Sequence, residues 1–231
     1  HEPGGITYVI DNQGNLLSGW PQTTPNNWIY GAPIVADIDG DQNYEIYVGE
    51  YGSGANPNSY VYGYHIDGSL LPNFPLGPFY GSANQITVAD VDGNGTQELL
   101  IDQNYSDNGD GFLLAYGIDG QQVQDWPFSM EYNNSFCQPV FVDLESNNST
   151  YLILQGNDLV NTTNSMQLYS TSTSYQTTNV LNPYYQLNEK HNGYYPLWFL
   201  SNSEQISEVP SSLIFPNPTS GNLFVKNYEQ V

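Results

Sequence analysis

An all-β protein assembled from a repeating unit of strands is what this sequence predicts, on three observations. Acidic stretches recur, with Asp37, Asp90 and Asp143 each 53 residues from the next, and a period of that length marks a repeat architecture. Tyr numbers 20 and Gly 22, a composition that favours strands and turns over helices. No stretch carries a convincing apolar period of about 3.6 residues.

Each repeat divides into a head and a tail. In the head, a strand such as APIVA (32–36) enters an acidic loop and a second, such as EIYVGEY (45–51), leaves it. In the tail, TYVIDNQGNLLSGWP (7–21), YHIDGSLLPNFP (64–75) and YGIDGQQVQDWP (116–127) share a tyrosine, Ile-Asp, a glycine turn and an aromatic-proline end. This wording aligns Tyr8, Tyr64 and Tyr116, with a weaker counterpart in Tyr169. Asp-Gly between apolar strands signals a hairpin, because glycine takes the positive φ the turn requires. The proline ends ladder pairing and suits a connection to the next sheet.

Four short strands in ~50 residues match one blade of a β-propeller. Heads start near residues 30, 83, 136 and 193, so the chain reads as an orphan tail, three full repeats and an orphan head. A four-bladed ring closed by the two orphans and a slice of a larger propeller both fit. The opening HEPGG has neither an initiator Met nor a signal peptide, which reads as a processed or trimmed N-terminus.

Charge narrows the partners. Lys plus Arg number 2 against 24 Asp plus Glu, a net charge of −22, which repels nucleic acid and anionic membranes and attracts cations. No apolar run approaches the ~18 residues of a membrane helix. Cys137 is the single cysteine, so no disulfide forms within the chain.

The acidic loops read ADIDGDQNYE (36–45) and ADVDGNGTQE (89–98), with a degenerate third, VDLESNNSTY (142–151). Their spacing sets side-chain oxygens at positions 1, 3, 5 and 9, and the carbonyl of position 7 can complete a shell. A hard cation with six or seven oxygen ligands fits, and calcium tolerates such irregular shells better than magnesium. An EF-hand needs Gly at position 6 and Glu at position 12, between helices. Here those places hold Gln42 and then Val48 or Ile101, between strands, and that reading fails.

These loops resemble the calcium loops of FG-GAP or VCBS repeats, which build integrin-α-like β-propellers, and the resemblance covers roughly residues 1–208. It implies one ion on Asp37, Asp39, Asp41, Glu45 and the Asn43 carbonyl. It implies another on Asp90, Asp92, Asn94, Glu98 and the Thr96 carbonyl, and a weak third on Asp143, Glu145 and Asn147. Glu45 and Glu98 stand where the family usually has Asp, and Tyr151 takes that place in the third loop. A second resemblance lies at LIFPNPTSGNLFV (213–225), which is similar to the opening of the C-terminal sorting domain of Bacteroidetes type IX secretion cargo. It implies a separate segment over 209–231, cut short, and a protein handled by that secretion machinery and found outside the cell or on its outer surface.

Catalytic constellations of motif strength are absent. His1, His65 and His191 are the only histidines, with no G-x-S-x-G element or zinc-type spacing beside them. The best carboxylate pairs belong to the acidic loops. Trp20, Phe74 and Trp126 recur at the repeat ends and read as packing between blades. Tyr51, Tyr60, Tyr80 and Tyr105 lie in less regular segments, where a tyrosine suits a sugar or protein contact. Two functions are therefore expected: a non-catalytic surface module binding an extracellular glycan or protein, or the propeller of a secreted polysaccharide-degrading lyase or hydrolase.

Overall fold

The computed structural model describes residues 4–25, 28–52, 56–83, 85–103, 111–130, 138–144, 149–158 and 163–174. The chain divides into two compact units, His1–Tyr194 and Tyr195–Val231, and every described residue lies in the first. The expected fourth head, the boundary at 208/209, the Pro-Asn-Pro segment, Cys137, His1, His191 and Tyr105 lie outside the described residues.

The described residues form thirteen strands and no helix. A two-stranded sheet pairs β1 (Gly5–Thr7) with β2 (Gln22–Thr24). The second sheet is a four-stranded antiparallel meander, β3 (Ile34–Ala36), β4 (Glu45–Gly49), β5 (Asn58–Tyr64) and β6 (Leu76–Tyr80). The third repeats that order with β7 (Ile86–Ala89), β8 (Glu98–Gln103), β9 (Gly111–Tyr116) and β10 (Phe128–Met130). A fourth sheet holds β11 (Val140–Val142), β12 (Ser149–Asp158) and β13 (Thr163–Ser174).

The acidic period is also a structural register. Ala36 pairs with Glu45, Ala89 with Glu98 and Val142 with Tyr151, so each loop closes over the same span. Behind the loops, Ile46 pairs with Tyr64, Leu99 with Tyr116 and Leu152 with Tyr169.

Side-chain alternation explains why the middle sheets are apolar on both faces. Ile46 and Val48 pack with Trp20 and with Val9 and Leu17 of the first tail, while Tyr47 and Val61 pack with Ile86, Val88, Leu99 and Ile101 of the third sheet. Leu100, Leu113 and Ala115 then meet Phe141, Leu152 and Leu154 of the fourth. Strands covered on both sides read as near-continuous apolar runs, and every residue of β4 and β7 is buried. The expected packing roles of Trp20, Phe74 and Trp126 hold: Phe74 joins and Trp126 lies against a cluster spanning two sheets, and Trp20, from the first tail, joins Ile46, Val48, Tyr62 and Tyr64 of the second sheet.

The tails differ from the sequence reading in two respects. Ile10, Tyr64 and Tyr116 make the same bridge, to Leu16, Leu70 and Gln122, so Ile10 and not Tyr8 is the counterpart of Tyr64. Repetition of the word Tyr-x-Ile-Asp had drawn the alignment two residues early. Register is set instead by the turn glycines, Gly14, Gly68 and Gly120, at φ of 86°, 81° and 79°. Second, Pro21, Pro75 and Pro127 lead into β2, β6 and β10, the last strand of the same sheet, not into the next one. A strand entered at its first residue tolerates proline's missing N–H.

Successive tails touch through one tight contact. Gly19 sits at φ 86°, and a Cβ there would lie 1.7 Å from the Asp67 carbonyl oxygen. Beside it the Trp20 indole N–H donates to the Ile66 carbonyl at 2.8 Å. Only glycine fits a positive φ with backbone this close.

Candidate metal centres

The strand pairs β3–β4 and β7–β8 carry the acidic loops, and local hydrogen bonding shapes them. The first and third carboxylates cap the loop backbone as Asx turns do. In the first loop, Gln42 N–H donates to Asp37 Oδ2 at 3.0 Å, Asp41 N–H to Asp39 Oδ1 at 3.1 Å and Asn43 N–H to Asp41 Oδ1 at 2.7 Å. In the second, Gly95 N–H donates to Asp90 Oδ2 at 3.1 Å, Asn94 N–H to Asp92 Oδ1 at 3.0 Å and Thr96 N–H to Asn94 Oδ1 at 2.6 Å. Two different sequences thus build one backbone trace.

Each loop gathers three carboxylates. Oxygens of Asp37, Asp39 and Glu45 lie within 4.8 Å of one another, as do those of Asp90, Asp92 and Glu98. Asp41 is outside the first triad; its exposed carboxylate accepts both Asn43 N–H and, at 3.0 Å, Asn43 Nδ2–H. Those hydrogen bonds, the side-chain one foremost, hold its carboxyl below the usual range. Asn94, at the matching place, accepts from the Thr96 backbone and hydroxyl. Asp143 follows β11, while Glu145 and Asn147 lie outside the described residues.

The two glutamates are the unusual members. Glu45 is 1 % and Glu98 2 % exposed. Oε2 of each accepts a backbone N–H across the loop mouth, from Ile38 at 3.2 Å and Val91 at 2.9 Å. Burial, outweighing that hydrogen bond and joined by the neighbouring aspartates, pushes both carboxyls up to about 7. No lysine or arginine precedes Lys190 in the sequence, so neither triad has a cationic side chain among the described residues to balance it. Asp37 Oδ1 is moreover buried without a hydrogen-bond partner. An all-oxygen donor set with an orphaned buried oxygen and surplus negative charge fits a hard divalent cation.

A cleft of about 360 Å³ runs between the loops, lined by Asp39 from the first, Asp92 and Glu98 from the second, and Ile118, Asp119 and Gln121 from the following tail turn. The expected contact tyrosines diverge. Tyr60 packs against the cluster behind Trp20, Tyr80 is exposed, and Tyr51 joins a group the sequence reading missed. Tyr30 stands edge-on to Tyr51 at 5.0 Å and to Trp28 at 5.9 Å, and Trp28 bridges Tyr51 across the backbone. Trp28 and Tyr30 remain 39 % and 56 % exposed. Both lie between a tail and a head, where the repeat offers no pattern. His65 is an exposed residue of a tail turn, donating its N–H to the Ser69 carbonyl at 2.9 Å.

No protein-family model, curated protein or solved structure matches this chain.

Proposed function

We propose that this chain is a calcium-binding β-propeller of the FG-GAP or VCBS type, working outside the cell as a non-catalytic module that binds a glycan or protein. The carrying observation is the pair of carboxylate triads, each with a buried glutamate, in a sequence without Lys or Arg before residue 190. Asp37, Asp39 and Glu45 hold one ion and Asp90, Asp92 and Glu98 the other, with Asp41, Asn94 and the Asn43 and Thr96 carbonyls closing the shells as the family resemblance implies. Calcium supplies charge neutralisation there and joins the two strands of each head. Repeated meanders apolar on both faces support the blade reading, because such a sheet is stable only between neighbours. The segment from Leu213 carries the export part of the proposal. Trp28, Tyr30 and Tyr51 offer the contact surface, rigid rings with apolar faces and polar tips.

Calorimetric titration with calcium tests the metal. Two sites are expected in the native chain, one in Asp39→Ala or Asp92→Ala, and none in the double variant. A native chain that takes up no calcium sinks the reading. Screening immobilised glycans with calcium present, native against Tyr30→Ala, tests the binding surface.

A further inference from the structure

Strand register identifies the same two faces on every sheet. Val61, Leu113 and Met166 oppose Gly49, Asp102 and Gln155, while Gly63, Ala115 and Leu168 oppose Tyr47, Leu100 and Ile153. These six residues lie on the trailing face of their sheets. Successive strand residues point to opposite sides, so Tyr62 and Tyr64, Leu114 and Tyr116, and Tyr169 lie on the leading face. The shared bridge makes Ile10 the counterpart of Tyr64 and Tyr116, and therefore Tyr8 that of Tyr62 and Leu114.

Three junctions join a leading face to the trailing face before it. Tyr62 and Tyr64 share a cluster with Val9, Leu17 and Trp20 of the first tail. Leu114 and Tyr116 share one with Val61, Leu71 and Phe74 of the second sheet. Tyr169 lies against the cluster of Leu113 and Ala115 of the third. At the two ends the cover stops. Tyr62, Tyr64 and Leu114 are buried, whereas Tyr8 and Ile10 are 61 % and 62 % exposed. Val61, Leu113 and Ala115 are buried, whereas Met166 and Leu168 are 77 % and 54 % exposed. The uncovered faces are the two halves of a junction the chain makes three times, and neither covers the other. Both are also uncharged: residues 4–10 and Thr163–Ser174 contain no Asp, Glu, Lys or Arg, in a chain of net charge −22. Exposed apolar side chains grouped on one face mark an interaction surface, and repulsion between copies is least where charge is missing.

We infer that these faces dock on each other between copies of the chain, the first tail of one copy against the fourth sheet of the next. Tyr8 and Ile10 meet Met166 and Leu168 as Leu114 and Tyr116 meet Val61 within the chain. The contact is heterologous, and each copy carries both halves. It therefore repeats, closing into a ring or extending as a row according to the rotation between copies. Neither metal centre is needed for it.

Sedimentation across a concentration series tests the docking, on the native chain and on two variants blocked at one end each. Tyr8→Lys with Ile10→Lys blocks the leading face, and Met166→Lys with Leu168→Lys the trailing one. Lysine reduces the net negative charge, so a loss of association could not come from added repulsion. The native chain should grow with concentration into assemblies of several copies. Each variant alone should stay a monomer. An equal mixture of the two should form dimers and stop there, because each copy keeps one intact half. All four positions are exposed, and unchanged melting temperatures verify that the variants fold. Where lysine lowers melting, Tyr8→Ser and Met166→Gln repeat the mixing test. A native chain that stays monomeric overturns the inference. So does a variant that still assembles alone, or a mixture that stays monomeric, since the contact between copies would then use other faces.

Discussion

The first and second acidic loops are a natural experiment in building one shape from two sequences. Positions 4 and 6 of the second loop are Gly93 and Gly95, at φ 77° and 87°. The first loop keeps Gly40 at φ 75° but forces Gln42 to φ 72°. It also carries Asp41 where the second has neutral Asn94, and Tyr47 where the second has Leu100. The second loop is thus relaxed, and the first strained and more charged. Strain of this kind persists where surrounding structure over-determines it. Here the overdetermining parts are the strand register and the buried glutamate, which the two loops share.

That shared glutamate gives the largest expected effect. Glu45 and Glu98 titrate near 7 in the fold against an ordinary 4.5. A raised carboxyl contributes stability that is complete below pH 4.5 and is lost as pH rises through about 7. Each such shift corresponds to about 3 kcal/mol. Metal-free protein should therefore melt on the order of 10 °C lower at pH 8 than at pH 5. Asp11, Asp41 and Asp67, whose carboxyls hydrogen bonds hold low, change charge on the acid side of that window. Glu45→Gln and Glu98→Gln should each remove roughly half of the slope. Thermal melts in a chelator from pH 5 to 8 measure it, and a flat profile in the native chain would refute the burial argument.

Calcium should reverse the loss where the proton has left. For a site about tenfold saturated, linkage gives about 1.4 kcal/mol, and two sites about 3 kcal/mol. At pH 7.5 chelation should lower the melting temperature by roughly 6–10 °C, and at pH 5 by much less, because protons then occupy the same oxygens. The all-β signal in circular dichroism should survive, since the sheets are held by apolar clusters rather than by the loops. A native chain and an Asp39→Ala, Asp92→Ala variant that melt together under both conditions would reduce the loops to acidic turns.

How far the sequence foretold this depends on what each feature needs. The heads were legible because Asp37, Asp90 and Asp143 mark a strand end, and a strand end fixes register for everything behind it. Tails were legible as hairpins but slipped at Tyr8, since a repeated word outweighed the glycine position that sets the turn. The prolines were misplaced by one connection: nothing in a sequence says whether an aromatic-proline step enters a strand or leaves a sheet. Triads of Asp37, Asp39 and Glu45 fell among the named ligands, but Asp41 turning to Asn43 depends on side-chain rotation that spacing cannot express. The orphaned oxygen of Asp37 is invisible until the loop is placed. Trp28 and Tyr30 belong to no repeat and gave no signal.

The smallest effect isolates the strain itself. A side chain held in the left-handed region costs about 1–2 kcal/mol relative to glycine, part of which returns because glycine gives the unfolded chain more freedom. Gln42→Gly should therefore stabilise the metal-free protein by a net amount below about 1 kcal/mol, or roughly 1–3 °C. The donor to Asp37 Oδ2 is the backbone N–H, which glycine keeps. The mirror change, Gly95→Gln, should destabilise by a similar amount, and for the same reason only. A Cβ at Gly95 meets nothing within 4 Å, so φ is the whole of its cost. Melting both variants in chelator separates loop conformation from metal affinity. Opposite shifts of similar size would fix the difference between the loops on one backbone angle. Two unchanged melting temperatures would mean that neither residue holds the left-handed conformation, and the common trace of the loops would fall with it.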